Sequence, residues 1–226
     1  AAHHIVCDGW SIGLLLKELA QLYRQQGEPG SLPPAESFFE YADQSDAQEI
    51  ANADIDYWRE RFKQLPPILD LPLDKVRPGA RTFQARRVDF EFDKDLAARL
   101  PKAAASMKAS LVNVVMASYF ALLYRLTSTS DLVVGLPVAG QAAFNRVNQV
   151  GHMVQLLPMR LVVDGEASFQ ELVGMVKAEV LNASEHPRFT FGKLLEKMVL
   201  DRSRVPLVST IFNIDQPMGT LTFGSA

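Results

Sequence analysis

The chain has 226 residues, 48% of them hydrophobic and 22% charged, which is the composition of an ordinary globular protein. Its formal net charge of −3 excludes a basic nucleic-acid-binding domain and a cationic membrane-surface protein. The single cysteine, Cys7, excludes an internal disulfide framework. The sequence also shows no apolar run of membrane-spanning length and no signal peptide, so we expect a cytoplasmic protein without nucleic-acid or membrane partners.

The first third of the chain predicts two amphipathic helices. Apolar residues share one face from Trp10 to Gln26, and either Asp8 or Ser11 can cap the start of this helix. A second helix is predicted from Asp46 to Leu65. The stretch from Pro66 to Ala80 holds four prolines and is predicted to link two lobes. The lobes comprise residues 1–80 and 81–226.

The rest of the chain predicts short strands mixed with helices. Strands are predicted over residues 86–92, 131–138, 153–163 and 207–214, and helices over residues 94–107, 110–126, 168–183 and 191–200. Pro101 and Pro158 are expected to kink or interrupt the elements that contain them. Apolar strands without strict alternation, mixed with helices, indicate an α/β fold built of packed layers.

The candidate chemistry lies in the segment His3-His4-Ile5-Val6-Cys7-Asp8-Gly9. The imidazole of His4 is suited to accept a proton at neutral pH, as in acyl transfer. Asp8 either faces that histidine or fixes the loop by bonding backbone N–H groups or an arginine. Gly9 lets the backbone approach a substrate or turn sharply.

Metal binding is the rival chemistry for this segment. His3, His4 and Asp8 offer three ligand types, but adjacent histidines usually point in different directions. His152 and His186 are isolated and are predicted to be structural or surface residues. We therefore predict no metal site.

The segment resembles the HHxxxDG active-site motif of the condensation domains of nonribosomal peptide synthetases. The resemblance continues in order along nearly the whole chain. The other matching segments are 37–43 with Tyr57-Trp58, 131–140, 150–160, 185–187 with 191–195, and 201–207. The resemblance implies a two-lobed α/β fold of the chloramphenicol-acetyltransferase type, with the active site in a tunnel between the lobes. It also implies that the chain carries only the end of the first lobe and most of the second.

The activity implied by this resemblance is that of an acyltransferase. It forms an amide between a donor acyl thioester and an acceptor aminoacyl thioester, both carried on phosphopantetheine arms. The partners implied are donor and acceptor carrier proteins and neighbouring synthetase domains, and the domain itself binds no cofactor. An inactive docking module and an epimerisation or ester-forming member of the same superfamily are the alternatives. We expect this segment alone to be inactive and poorly soluble, because missing β partners would leave apolar faces exposed.

The same resemblance implies roles for individual residues. His4 matches the second histidine of the motif and would deprotonate or orient the attacking amine. The backbone N–H of Gly9 would steady the oxyanion, and Asp8 would be mainly structural, pairing with an arginine from an earlier part of the fold.

Three further residues are expected to support the site. His3 would be buried, and Trp10 would line or buttress the channel. Arg160 would anchor a contact between the lobes or bind pantetheine, and we favour the structural role. The sequence departs from the family pattern at Gln141, which stands where an arginine often follows Ala-Gly.

Overall fold

The fold is described from a computed structural model, which covers residues 2–25, 32–47, 52–75, 84–189, 191–197, 207–215 and 219–223. The helices are α1 Gly9–Arg24, α2 Phe38–Ala47, α3 Asn52–Arg61, α4 Lys94–Ser106, α5 Leu111–Thr127, α6 Gly140–Ala143, α7 Phe169–Ser184 and α8 Phe191–Lys197. The strands are β1 Asp131–Val138 and β2 Gln155–Val162. Within these ranges no single helix is long and apolar enough to span a membrane, and only α4 and α5, bent by 99°, reach that length together.

Four of the five helices described after residue 80, α4, α5, α7 and α8, are ones that the sequence predicted. The single turn of α6 was not predicted. Ser110 and Ser168 cap α5 and α7 through reciprocal side-chain and backbone hydrogen bonds with residues three positions on. Helix α4 runs through Pro101 without a break. The Ala97 carbonyl, which loses its usual donor there, belongs to an exposed residue, so water can bond it.

The helical prediction for the first third of the chain is partly wrong. A single helix was expected over residues 46–65, but the structure has α2 ending at residue 47 and α3 beginning at residue 52. Helix α2 was missed because its sequence has little amphipathic pattern. It nevertheless begins at two phenylalanines, and the first of them packs against Gly151.

Strands β1 and β2 form an antiparallel pair at the centre of the fold. Pro158 was expected to interrupt β2, but it lies within the strand and opposite Gly135. On the other side of β1, the Gly135 N–H donates to the Thr210 carbonyl, and the Gly135 carbonyl accepts the Phe212 N–H. The pair is therefore not hydrogen-bonded across the ladder, and the missing N–H of proline costs no bond there.

Two predicted strands are not found as strands among the described residues. The segment 86–92 makes no β ladder, and its alternating side chains Val88, Phe90 and Phe92 are 63%, 88% and 63% exposed. A strand requires a hydrogen-bonded neighbour, and no described segment provides one there. Of the predicted strand 207–214, only Ile211 forms a bridge, to Gly135.

One apolar core connects α3, α4, α5, α7 and α8 with the two strands. Trp58 of α3 is fully buried, and its indole N–H donates to the His186 carbonyl at 3.0 Å. The predicted lobe boundary at residue 80 lies outside the described residues and stays a prediction. Within the described part, residues from both sides of that boundary share this core. The α/β class predicted from the sequence is confirmed.

Candidate functional site

The segment that carries His4 is a tight turn followed by the start of α1. The Val6 N–H donates to the His3 carbonyl at 3.1 Å, which closes the turn. Asp8 is extended, and its side chain accepts the Ser11 N–H at 2.9 Å, so it is the N-cap of α1. Of the two caps that the sequence allowed, the structure uses Asp8. The cap fixes the position of the turn relative to the helix.

Asp8 is fully buried and bonds to a segment that lies far away in the sequence. Its Oδ2 accepts the Met153 N–H at 3.0 Å, and the Gln141 amide donates to Oδ1 and Oδ2 at 3.1 and 3.0 Å. Burial raises the pKa of Asp8, but the hydrogen bonds from Met153, Gln141 and Ser11 outweigh burial and hold it below its ordinary value. Asp8 is therefore an anionic structural anchor rather than a proton donor.

Ser11 extends this anchor by one turn of α1. Its hydroxyl lies 2.7 Å from Asp8 Oδ1 and 2.9 Å from the Gly151 carbonyl oxygen, and it accepts the Gly151 N–H at 3.0 Å. We call Asp8, Ser11, Gln141, Gly151 and Met153 the Asp8 cluster. It connects the start of α1 to the segment that enters β2.

Close packing against the backbone explains why positions 140 and 151 are glycines. A Cβ on Gly140 would overlap the Met153 carbonyl oxygen, and a Cβ on Gly151 would overlap the ring of Phe38. Neither glycine has a positive φ, so each is required by space rather than by backbone conformation.

His4 and His152 meet at the exposed side of the cluster. Their Nδ1 atoms are 3.2 Å apart, and their rings meet edge to face at a centroid separation of 5.2 Å. Both side chains are exposed, whereas Gly151 and Met153 on either side of His152 are buried and bonded to the Asp8 cluster. The cluster therefore holds the backbone on both sides of His152.

The structure brings five of the six predicted site residues to one place. The indole of Trp10 donates to the Val147 carbonyl at 2.9 Å, which ties α1 to the loop before β2. Gly9 is the first helical residue, and a Cβ built on it meets nothing within 4 Å, so neither a sharp turn nor crowding requires glycine there. The expectation that His3 is buried is wrong. It is exposed, because no described residue packs over it, and its Nδ1 accepts the Ile5 N–H at 3.1 Å.

Arg160, the sixth predicted residue, belongs to a different set of contacts. Its guanidinium donates to both carboxylate oxygens of Asp131 at 2.9 and 2.7 Å and to the carbonyls of Arg61 and Gln64 at 2.7 Å each. Its backbone N–H donates to Glu179, which also pairs with the Arg61 guanidinium. We call Arg160, Asp131, Arg61 and Glu179 the Arg160 cluster. These bonds connect α3, α7 and the two strands.

Four of the residues around the motif were not predicted from the sequence as site residues. Gln141, Gly151, His152 and Met153 lie more than 130 residues after Asp8, so no local spacing indicates the contact. The sequence marks Gln141 only as a departure from the family pattern and His152 only as an isolated histidine. Within the described ranges no group of three or more metal-ligating side chains is found.

Comparisons with known proteins identify the family of this chain. The family profile described as Condensation domain matches residues 1–222. The chain is 35% identical over 214 residues to surfactin synthase subunit 2 of Bacillus subtilis (strain 168), covering 94% of this chain and 6% of that protein. It is 32% identical over 223 residues to gramicidin S synthase 2 of Brevibacillus brevis, covering 98% of this chain and 5% of that protein.

Solved structures show the same fold. The first condensation domain of the CDA synthetase superposes with a TM-score of 0.78 at 25% identity over 99% of this chain and 50% of that one. A four-domain nonribosomal peptide synthetase bound to AMP and glycine gives a TM-score of 0.83 at 22% identity over 94% of this chain and 16% of that one. The chain thus spans about half of a solved condensation domain and a small fraction of the curated relatives it matches.

Proposed function

Because this chain belongs to the condensation-domain family, we propose that it takes part in forming an amide between a donor acyl thioester and an acceptor aminoacyl thioester. Both substrates would be carried on the phosphopantetheine arms of carrier proteins, with neighbouring synthetase domains as further partners. The observation that supports this most directly is the turn that carries His4. A buried, anionic Asp8 fixes the turn, and the imidazole remains exposed.

His4 acts on the amine in this proposal. The acceptor amine attacks the thioester carbon, the C–N bond forms, and the C–S bond breaks. The proton that the amine loses passes to the imidazole of His4 and from there to the departing thiol of the phosphopantetheine arm. A proton acceptor held at the reacting amine contributes about 10² to 10⁴ in rate to such a step.

The start of α1 supplies the second element. The first N–H groups of a helix have no acceptor within the helix, and Asp8 takes the one from Ser11. The N–H groups of Gly9 and Trp10 then remain at the positive end of α1, where they can stabilise a developing oxyanion. The open space at the Cα of Gly9 lets a thioester carbonyl come close to this backbone.

Asp8 and Arg160 are structural in this proposal and touch no substrate. Asp8 holds the turn against the segment before β2, and Arg160 holds β2 against α3. His3 accepts the Ile5 N–H within the turn, and Trp10 ties the start of α1 to the loop before β2. Of the two roles expected for Trp10, its bond to Val147 favours buttressing.

The experiment loads separate donor and acceptor carrier proteins and mixes them with the full-length native protein. The joined acyl chain on the acceptor carrier is measured by mass spectrometry. We expect product with the wild type and a loss of at least about a hundredfold with His4→Ala. The control is Asn148→Ala, an exposed position in the loop before β2, which is expected to retain the wild-type rate.

Two results would contradict the proposal. One is an unchanged rate of amide formation with His4→Ala. The other is a wild-type protein that binds both carriers and forms no product, which would identify a docking module instead.

A further inference from the structure

The His152 side chain lies within hydrogen-bonding distance of the His4 ring and packs edge to face against it. Their Nδ1 atoms lie 3.2 Å apart, which is hydrogen-bonding distance. Such a contact between two neutral imidazoles requires one Nδ1 to carry a proton and the other to present a lone pair. The contact therefore couples the tautomers of the two rings.

The position of His152 is fixed by the backbone. The Gly151 N–H donates to the Ser11 hydroxyl, and the Met153 N–H donates to Asp8. Asp8 and Ser11 also fix the start of α1, which begins five residues after His4. The same buried side chains thus place both histidines, and an exposed His152 side chain extends from a backbone held on each side.

The direction of the hydrogen bond follows from the chemistry of His4. With Nδ1 occupied by His152, the ring nitrogen left for the substrate amine is Nε2. To accept a proton there, neutral His4 must carry its own proton on Nδ1, and that Nδ1–H donates to the lone pair of His152 Nδ1. His152 then carries its proton on Nε2, on the exposed side of the pair.

We propose that His152 is a positioning residue that holds His4 in the tautomer whose Nε2 accepts the proton of the attacking amine. This inference rests on the proposed function of His4 and adds a second residue to it. When His4 becomes an imidazolium during the reaction, its Nδ1–H keeps the same acceptor, so no partner has to rearrange. An aspartate plays the corresponding role toward histidine in hydrolase triads, where it fixes the tautomer through Nδ1.

The other titratable groups of the loop do not replace this contact. Asp8 and Cys7 are buried, with Asp8 bonded within its cluster and the Cys7 thiol 3.8 Å from the Asp8 carbonyl oxygen. His3 accepts the Ile5 N–H through its own Nδ1. Among the described residues, His152 is the acceptor available to His4 Nδ1.

The test compares three variants in the carrier-to-carrier assay with the full-length native protein. His152→Leu removes the hydrogen-bond acceptor of His4 Nδ1. His152→Asn keeps an amide oxygen close to the position of Nδ1 and cannot take up a proton. Asn148→Leu makes a similar change at an exposed position of the same loop and serves as the control. The kcat, the KM for the acceptor carrier and the melting temperature are measured for each.

We expect His152→Leu to lower kcat about tenfold with KM and melting temperature unchanged, a smaller loss than that of a proton acceptor itself. His152→Asn should recover kcat to within about threefold of the wild type, because a hydrogen-bond acceptor is sufficient for positioning. Asn148→Leu should match the wild type.

Several results would overturn the inference. An unchanged kcat in His152→Leu would show an incidental contact. A His152→Asn variant that is as slow as His152→Leu would show that His152 must itself take up the proton. A drop in kcat that follows the melting temperature would show a structural role. If His4→Ala retains activity, the proposed function has failed, whereas a large loss in His4→Ala with none in His152→Leu leaves that function standing and removes only this inference.

Discussion

Asp8 and Glu179 are both buried carboxylates that join distant segments, but they do so with different partners. Asp8 accepts hydrogen bonds from two backbone N–H groups, a hydroxyl and an amide, all of them neutral. Glu179 accepts from one backbone N–H and pairs with the Arg61 guanidinium. Hydrogen bonds from neutral donors therefore fix the segment that carries His4. Charged side chains instead join the two strands to α3 and α7.

The pKa directions of the two carboxyls reflect the balance between burial and the groups that stabilise each anion. Burial raises the pKa of Glu179, and the lowering by Arg61 and by the Arg160 N–H does not cancel it. Burial also raises the pKa of Asp8, but its more numerous hydrogen bonds lower it further. A well-hydrogen-bonded anion can thus be held in the interior without a cation beside it. Such an anchor is insensitive to salt and leaves the site free of a competing positive charge.

The largest expected effect comes from breaking the Arg160 cluster. Arg160→Leu leaves the Asp131 carboxylate and two backbone carbonyls without their donor, which should cost about 3 kcal/mol of local stability. Hydrogen–deuterium exchange of β1 and β2 in the full-length native protein measures this loss. The control is Arg59→Leu, which breaks the exposed Arg59–Asp56 pair and should change little. Similar exchange in the two variants would contradict the prediction.

Breaking the Asp8 cluster should cost slightly less stability but should abolish activity. Asp8→Asn replaces one accepting oxygen with an NH₂ group that faces other donors, at a cost of about 2 kcal/mol. We expect faster exchange over residues 149–153 and loss of amide formation. Asp93→Asn is the matched control, because Asp93 caps α4 through the Leu96 N–H at 2.8 Å from an exposed position. If Asp8→Asn and Asp93→Asn show the same exchange over residues 149–153 and the same rate of amide formation, Asp8 acts only as a helix cap.

Acidification should separate the two clusters without a mutation. The pKa of Asp8 is lowered on folding, so its contribution is complete above its ordinary value of 3.8 and is lost as the pH falls through the lower folded value. The pKa of Glu179 is instead raised on folding, so its ionised form lowers the free energy of unfolding. Protonation of Glu179 therefore does not destabilise the fold as the pH falls. The protection of residues 149–153 against exchange, relative to the intrinsic exchange rate at each pH, should therefore stay high at about pH 5 and fall only below about pH 4. Asp8→Asn should remove this dependence.

The smallest expected effect comes from Gln141, which supplies a neutral donor where the related pattern often has an arginine. Gln141→Met removes two hydrogen bonds to Asp8 and should cost about 1 kcal/mol, because Ser11 and Met153 still bond the carboxylate. Gln149→Met is the control. Gln149 is an equally buried glutamine whose amide donates to the Ser37 carbonyl at 3.0 Å, so its loss should loosen the start of α2 and not that of α1. Equal loosening of α1 in both variants would refute a specific role for Gln141.

Local patterns predicted the elements that depend on local interactions. The helices capped by Ser110 and Ser168 and the strand β1 agree with the sequence to within about two residues, because capping and apolar patterning lie within each segment. The segment 86–92 has the alternation of a strand but no ladder among the described residues. Alternation specifies a face, whereas a strand also requires a neighbour, which the segment's own sequence does not reveal.

The candidate site likewise has a part that the local sequence indicates and a part that depends on distant segments. His4, Asp8 and Gly9 lie within six consecutive residues and could be chosen as candidates from their spacing. The partners of Asp8 come from residues 141 and 153, and His152 reaches His4 only because its neighbours bond to Asp8 and Ser11. Such contacts depend on how the chain folds back, which the motif itself does not encode.

The Asp8 cluster also determines where segments of this chain can be replaced by those of a relative in a chimaera. A crossover placed between α1 and residue 140 would combine one parent's carboxylate with the other parent's amide, glycine and histidine. A parent with arginine at position 141 would put a bulkier, charged side chain into a fully buried site. Chimaeras should therefore inherit residues 3–11 and 139–153 from the same parent, so that the two segments recombine as one unit despite their separation in sequence.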